Sequence, residues 1–152
     1  MAAGDIGFFN QYLVDVLSGK HNQASDDIRL GLVTNATVPT ISTPNPTWGA
    51  GGATNFSLNQ VTPGGNYSSG GPAIANLSVS LISGAAYFDG DDVVIAQNAS
   101  NPSGAYWAII YNNTLVNKEC LGFIDLNGPV DLSAGDFTIT WNAQGILSLS
   151  RV

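Results

Sequence analysis

Residues 105–114 read AYWAIIYNNT, and residues 119–149 read ECLGFIDLNGPVDLSAGDFTITWNAQGILSL. Short apolar-alternating runs are cut by Asn, Gly, Pro and Asp, the pattern of a compact antiparallel sheet. Phe137, Ile139 and Trp141 share one face of such a strand, and Thr138 and Thr140 share the other. Few titratable side chains occur in the stretch, so it reads as scaffold or adhesive surface rather than as a catalyst.

Working outward, the same pattern recurs. Strands are expected over Asp27–Thr34, Ala73–Ile82, Ala85–Phe88, Val93–Gln97, Ala105–Asn112, Cys120–Leu126, Phe137–Asn142 and Ile146–Ser150. In Ala73–Ile82, Ala75, Leu77, Val79 and Leu81 alternate with Asn76, Ser78 and Ser80, as in a half-buried antiparallel strand. Asn142-Ala143-Gln144-Gly145 predicts a hairpin turn. Phe8, Phe9, Tyr12, Leu13, Val16 and Leu17 recur at spacings of three and four. That predicts one short helix over Ile6–Leu17, with Gly19 as its stop signal.

Residues 35–72 are different. They hold Pro39, Pro44, Pro46, Pro63 and Pro72 and several glycine clusters, with only Asn55–Val61 able to form a short strand. Loops this long in a compact domain are uncommon and usually functional. Trp48 stands in the middle, either tucked onto the core or presented to a partner. The expected fold is therefore mainly β: an antiparallel β-sandwich or jelly-roll-like barrel with one short N-terminal helix. The whole chain, 1–152, is one domain, with a helix or arm at 1–25 and an elaborated Pro/Gly-rich loop at 35–72.

Composition narrows the function. Charged residues are 10% of the chain, well under the usual quarter, while 44% is hydrophobic. That excludes disorder and highly charged helical folds. The net charge of −7 and four basic residues leave no patch for nucleic acid or for an anionic membrane surface. No run of 18 apolar residues provides a membrane-spanning helix. The opening Met-Ala-Ala-Gly-Asp lacks the features of a signal peptide, so synthesis in the cytoplasm without export by that route is expected. Cys120 is the single cysteine, so no intrachain disulfide forms, and a buried inert thiol is expected.

Candidate chemistry is sparse. Asp89-Gly90-Asp91-Asp92 is the densest acidic cluster and could offer oxygen ligands to Ca²⁺, but it lacks the downstream Glu and spacing of an EF-hand loop and reads first as a solvated hairpin turn. His21 is the sole histidine and follows a helix C-terminus, where a capping role suits it. Zinc would need further Cys and His ligands, and no GxSxG nucleophile elbow is present. No spacing among the eleven acids nominates a glycosidase pair. Gly64-Gly65 and Gly70-Gly71-Pro72 lack the Lys and helix of a phosphate loop. Asn-X-Ser/Thr triplets at Asn35, Asn55, Asn66, Asn76, Asn98 and Asn112 match what an Asn-rich chain produces by chance. No catalytic residue, cofactor or metal is assigned.

Several of these stretches together resemble small virion structural proteins of tailed bacteriophages. The C-terminal match runs through Tyr106–Asn112, Leu121-Gly122-Phe123-Ile124-Asp125, Gly128, Gly135–Trp141 and Gly145–Leu149. The N-terminal match runs through Phe9–Asp15, Leu17, Gly19–Asn22 and Asp27–Thr34. The resemblance spans both ends and departs at residues 39–72.

It implies a non-enzymatic capsid decoration (cement) protein on the outer surface of the virion, bound to the major capsid protein and homo-oligomeric, with a trimer as the family-level expectation. The aromatic stripe of the helix either lids one end of the β core or forms an arm onto a neighbouring subunit; on the second reading Phe8, Phe9, Tyr12 and Trp48 are the partner anchors. Two alternatives stand beside it. One is a tail, collar or fibre-base component. The other is a carbohydrate-binding β-sandwich module using Trp48, Tyr67 and Trp107.

Overall fold

A computed structural model describes residues 4–151. The fold is mainly β, as expected, and sandwich-like. Its centre is a four-stranded antiparallel sheet in the order β1 (Ile6–Phe8), β9 (Cys120–Asp131), β8 (Ser103–Asn112), β2 (Ile28–Val33). Leu30 pairs with Ile110, Leu32 with Ala108, and Ile109 with Phe123. β2 and the second half of β8 are buried on both faces. That explains why AIIY and IRLGLV read as nearly continuous apolar runs. A short two-stranded parallel pair lies in the middle segment, and two further antiparallel sheets complete the layers. One pairs β7 (Val93–Ile95) with β10 (Phe137–Ile139), and the other has the order β11 (Leu147–Ser150), β6 (Ala85–Asp89), β5 (Ser78–Ile82). Ile124 on β9 meets Ile139, Trp141 and Ile146 around one cavity, where the central sheet faces the smaller ones.

The N-terminal segment is divided. Ile6–Phe8 is a strand paired with Gly122–Ile124, and only Asn10–Leu17 is helix (α1). The helix is also rotated from the expected stripe. Tyr12 and Asp15 are buried, whereas Leu13 and Leu17 are 52% and 91% exposed. The apolar spacing marked the helix but not its inward face, because Asp15 enters a polar cluster that the spacing could not reveal.

The long middle segment closes an edge. Its short elements are β3 (Pro46–Thr47), β4 (Thr54–Asn55) and a 3-10 turn at Phe56–Asn59. β2 would otherwise present bare backbone. Instead Leu30 N–H donates to Pro72 O (3.0 Å), Val61 N–H to Leu32 O (3.0 Å), Thr34 N–H to Asn59 O (2.9 Å) and Ile74 N–H to Ile28 O (2.8 Å). Leu32 N–H donates to Tyr67 Oη (2.8 Å). A covered edge cannot template pairing with another chain. Gly71 makes this approach possible. It has φ +74°, and a Cβ there would collide with Leu30 O.

Two strand expectations shift. In 73–82 only Ser78–Ile82 is strand, and all five residues are exposed rather than half-buried. The 142–145 turn forms, with Gly145 N–H donating to Asn142 O (2.8 Å). It does not join neighbouring strands, because β10 pairs with β7 and β11 with β6.

Candidate interaction surface

The four expected anchors are engaged within the chain. Phe9 and Tyr12 are fully buried, and Trp48 is 4% exposed. Phe9 packs on Phe123 (5.1 Å between centroids) and Phe56 (5.9 Å). Phe8 is half-buried and stacked on Tyr12 (5.6 Å). Trp48 lies parallel to Tyr111 at 4.9 Å, and its benzo edge sits over Gly31, which leaves no room for a Cβ. The physical reason is ordinary. Large rings gain most by leaving water, and the chain has room for them in its own core. These residues are core, not a presented anchor.

The rings expected to stack on sugar are likewise engaged. Tyr67 is buried, its hydroxyl accepting from Leu32, and burial pushes that phenol up to about 12. Trp107 is half-buried against Phe123, and its Nε1 donates to Asn35 Oδ1 (3.1 Å).

An exposed apolar surface lies on β11-β6-β5, around Phe88, which is itself buried in the core. Strand pairing places Val79, Leu81, Ala86, Phe88, Leu147 and Leu149 on one face. Val79, Leu81 and Leu149 are 52%, 77% and 51% exposed. A groove lined by Val79, Ala86, Phe88, Leu147, Leu149 and Val16 of α1 runs across this face. No charged residue occurs from Leu77 to Phe88 or from Ala143 to Ser150. β5 and β11 are both open edges. A strand without charge, proline or cover is what soluble proteins avoid unless another molecule occupies it. The sequence carried the alternation of Val79 and Leu81 but no sign that nothing in the chain covers them.

The polar candidates resolve into structural roles. Asp92 Oδ1 accepts from Trp141 N–H (3.0 Å), Asp91 O accepts from Trp141 Nε1 (2.8 Å) and Asp91 Oδ2 accepts from Asn76 (2.7 Å). The acidic turn thus clamps Trp141. Among the described residues, no group of three or more His, Cys, Asp or Glu is placed to hold a metal ion.

His21 lies in a buried cluster with Asp15, Glu119 and Asn112. Lys20 Nζ bridges Asp15 (3.0 Å) and Glu119 (3.6 Å). Asn112 Oδ1 accepts from Thr114 N–H, so its amide donates to His21 Nδ1 (3.1 Å) and Asp26 (2.7 Å). That leaves the imidazole proton on Nε2, 3.9 Å from Asp15 Oδ2, too far for a hydrogen bond. Burial lowers the pKa of His21, against the pull of Asp15, Glu119 and Asp26. Cys120 is fully enclosed, and burial pushes its thiol well up.

Among the described residues no helix is long and apolar enough to cross a membrane. No protein-family model, curated protein or solved structure matches the chain.

Proposed function

We propose that this chain is a non-enzymatic structural protein of a tailed-phage virion, a capsid decoration protein that binds the major capsid protein from outside and stabilises the shell. The observation that carries the reading is the uncharged apolar face of β11-β6-β5. It would seat on the capsid protein, while the open β5 and β11 edges pair copies with one another. A sheet with two different open edges would join head to tail, a contact that closes into a ring where its rotation allows, and the family resemblance favours a trimer.

Three further features support this. The resemblance spans both ends of the chain. The charge of −7 suits a surface turned away from packaged DNA. Many weakly bound copies would gain shell affinity through avidity. The test is incubation of the purified protein with shells assembled from the major capsid protein alone, read by sedimentation. The proposal expects saturable co-sedimentation and a raised shell melting temperature. No co-sedimentation would reject it.

The same face would serve a tail or collar site, and copy number separates the two. A stacking carbohydrate module is disfavoured, because the aromatic rings it would use are buried or packed.

A further inference from the structure

Basic residues are scarce, and their placement is uneven. Lys20 is held by Asp15 and Glu119, and Arg151 follows β11 at the C-terminal end. The remaining two, Arg29 and Lys118, line one surface cavity of about 430 Å³. Its other polar walls are Ser57, Gln60, Ser69 and Asn113, and the parallel Trp48–Tyr111 pair also borders it. We propose that this cavity binds the carboxylate of an acidic sugar. The proposal is independent of the shell reading and rests on different residues.

The walls are built, not incidental. Lys118 has φ +54°, in the left-handed region that non-glycine residues seldom adopt. Its backbone is pinned on both sides: its N–H donates to Leu115 O (3.0 Å), and its carbonyl accepts from Trp48 N–H (2.8 Å). Outlying backbone of this kind concentrates at ligand sites. Among the described residues, Lys118 enters no ion pair. Gly70, with φ +84°, forms another wall. Its carbonyl accepts from Tyr111 Oη (2.8 Å), and its N–H donates to Gln60 Oε1 (3.3 Å). Gln60 also hydrogen-bonds the Tyr67 hydroxyl, which fixes its side chain in the wall.

Charge fixes the ligand class. Asp27 accepts from Arg29 Nε (2.9 Å) and from Asn113 (2.7 Å), cancelling one of the two positive charges. One net positive charge suits a monoanion. Hydroxyls and amides around it suit a polyhydroxylated body, and the volume matches a single small ligand. Trp48 is 4% exposed, so no ring face is open for stacking, and a neutral sugar would lack its usual platform.

The experiment is calorimetric titration of the intact protein with sodium glucuronate, with glucose and with sodium acetate. The proposal expects saturable glucuronate binding, with glucose and acetate each weaker by about tenfold or more. Lys118→Gln should weaken glucuronate by about tenfold with an unchanged melting temperature. If that variant is unstable, Ser69→Ala, on an exposed loop, provides a second, smaller loss. No glucuronate binding up to roughly 50 mM, equal binding of glucose, or affinity unmoved in a folded Lys118→Gln would each overturn the proposal.

Discussion

Leu81→Ser separates the two roles an apolar strand residue can have. Leu81 is 77% exposed in β5, so about a quarter of its side chain is removed from water by folding. Full burial of a leucine is worth about 2 kcal/mol, so the folded chain loses roughly 0.5 kcal/mol in the variant. Docking would bury the remaining three quarters, about 1.5 kcal/mol, or roughly a tenfold loss of affinity. Leu149 lies two strands away on the same face and is 51% exposed. Leu149→Ser adds about 1 kcal/mol by the same arithmetic. The double variant should therefore lose about 1.5 kcal/mol of folding free energy and compete roughly seventyfold worse for bare shells. Leu30→Ala is the contrast. Leu30 is fully buried, so this change should cost about 2–5 kcal/mol of folding free energy. Urea denaturation reads the first quantity and competition against labelled wild type on shells reads the second. A drop of more than about 1.5 kcal/mol in folding for Leu81→Ser would mean that the strand packs within its own chain. Unchanged competition by the double variant would mean that the face does not dock.

Other consequences follow from the core and the buried polar cluster. Gly31→Ala drives a methyl into the Trp48 ring and should cost about 1–3 kcal/mol, with loss of near-ultraviolet circular dichroism from the Trp48–Tyr111 pair. An unchanged spectrum and melting temperature would contradict the packing. His21 is held neutral, so its contribution to stability is complete above its ordinary value of 6.5 and is lost as pH falls below it, since the unfolded chain protonates first. His21→Gln should flatten that part of the stability–pH curve, and an unaltered slope would refute the assignment. Cys120 should resist iodoacetamide at pH 8 in the native protein and react in urea. Rapid native labelling would show that the β9 start is not enclosed.

Much of the fold was legible because β8 and β9 carry long apolar runs between clear turn residues, and the 142–145 turn was legible from its Gly. Three features were not. The helix start is not readable locally, because Ile6-Gly7-Phe8 fits a strand as well as a helix, and only its pairing with Gly122–Ile124 decides. The role of 35–72 was hidden because its partners on β2 lie far along the chain, beyond the reach of any local pattern. Large rings dominate interfaces, which makes Phe8, Phe9, Tyr12 and Trp48 natural candidates for partner anchors. They dominate cores as well, and here the core takes them. The exposed face of β5 was visible as alternation, but alternation says which residues share a face and not whether anything covers it.

The central claim is most directly tested by quantitative mass spectrometry of purified phage particles against the major capsid protein. The decoration reading predicts copies in the hundreds, in fixed ratio to the capsid protein. A count of about a dozen or fewer would place the protein in the tail or collar, and its absence from particles would contradict the virion reading altogether.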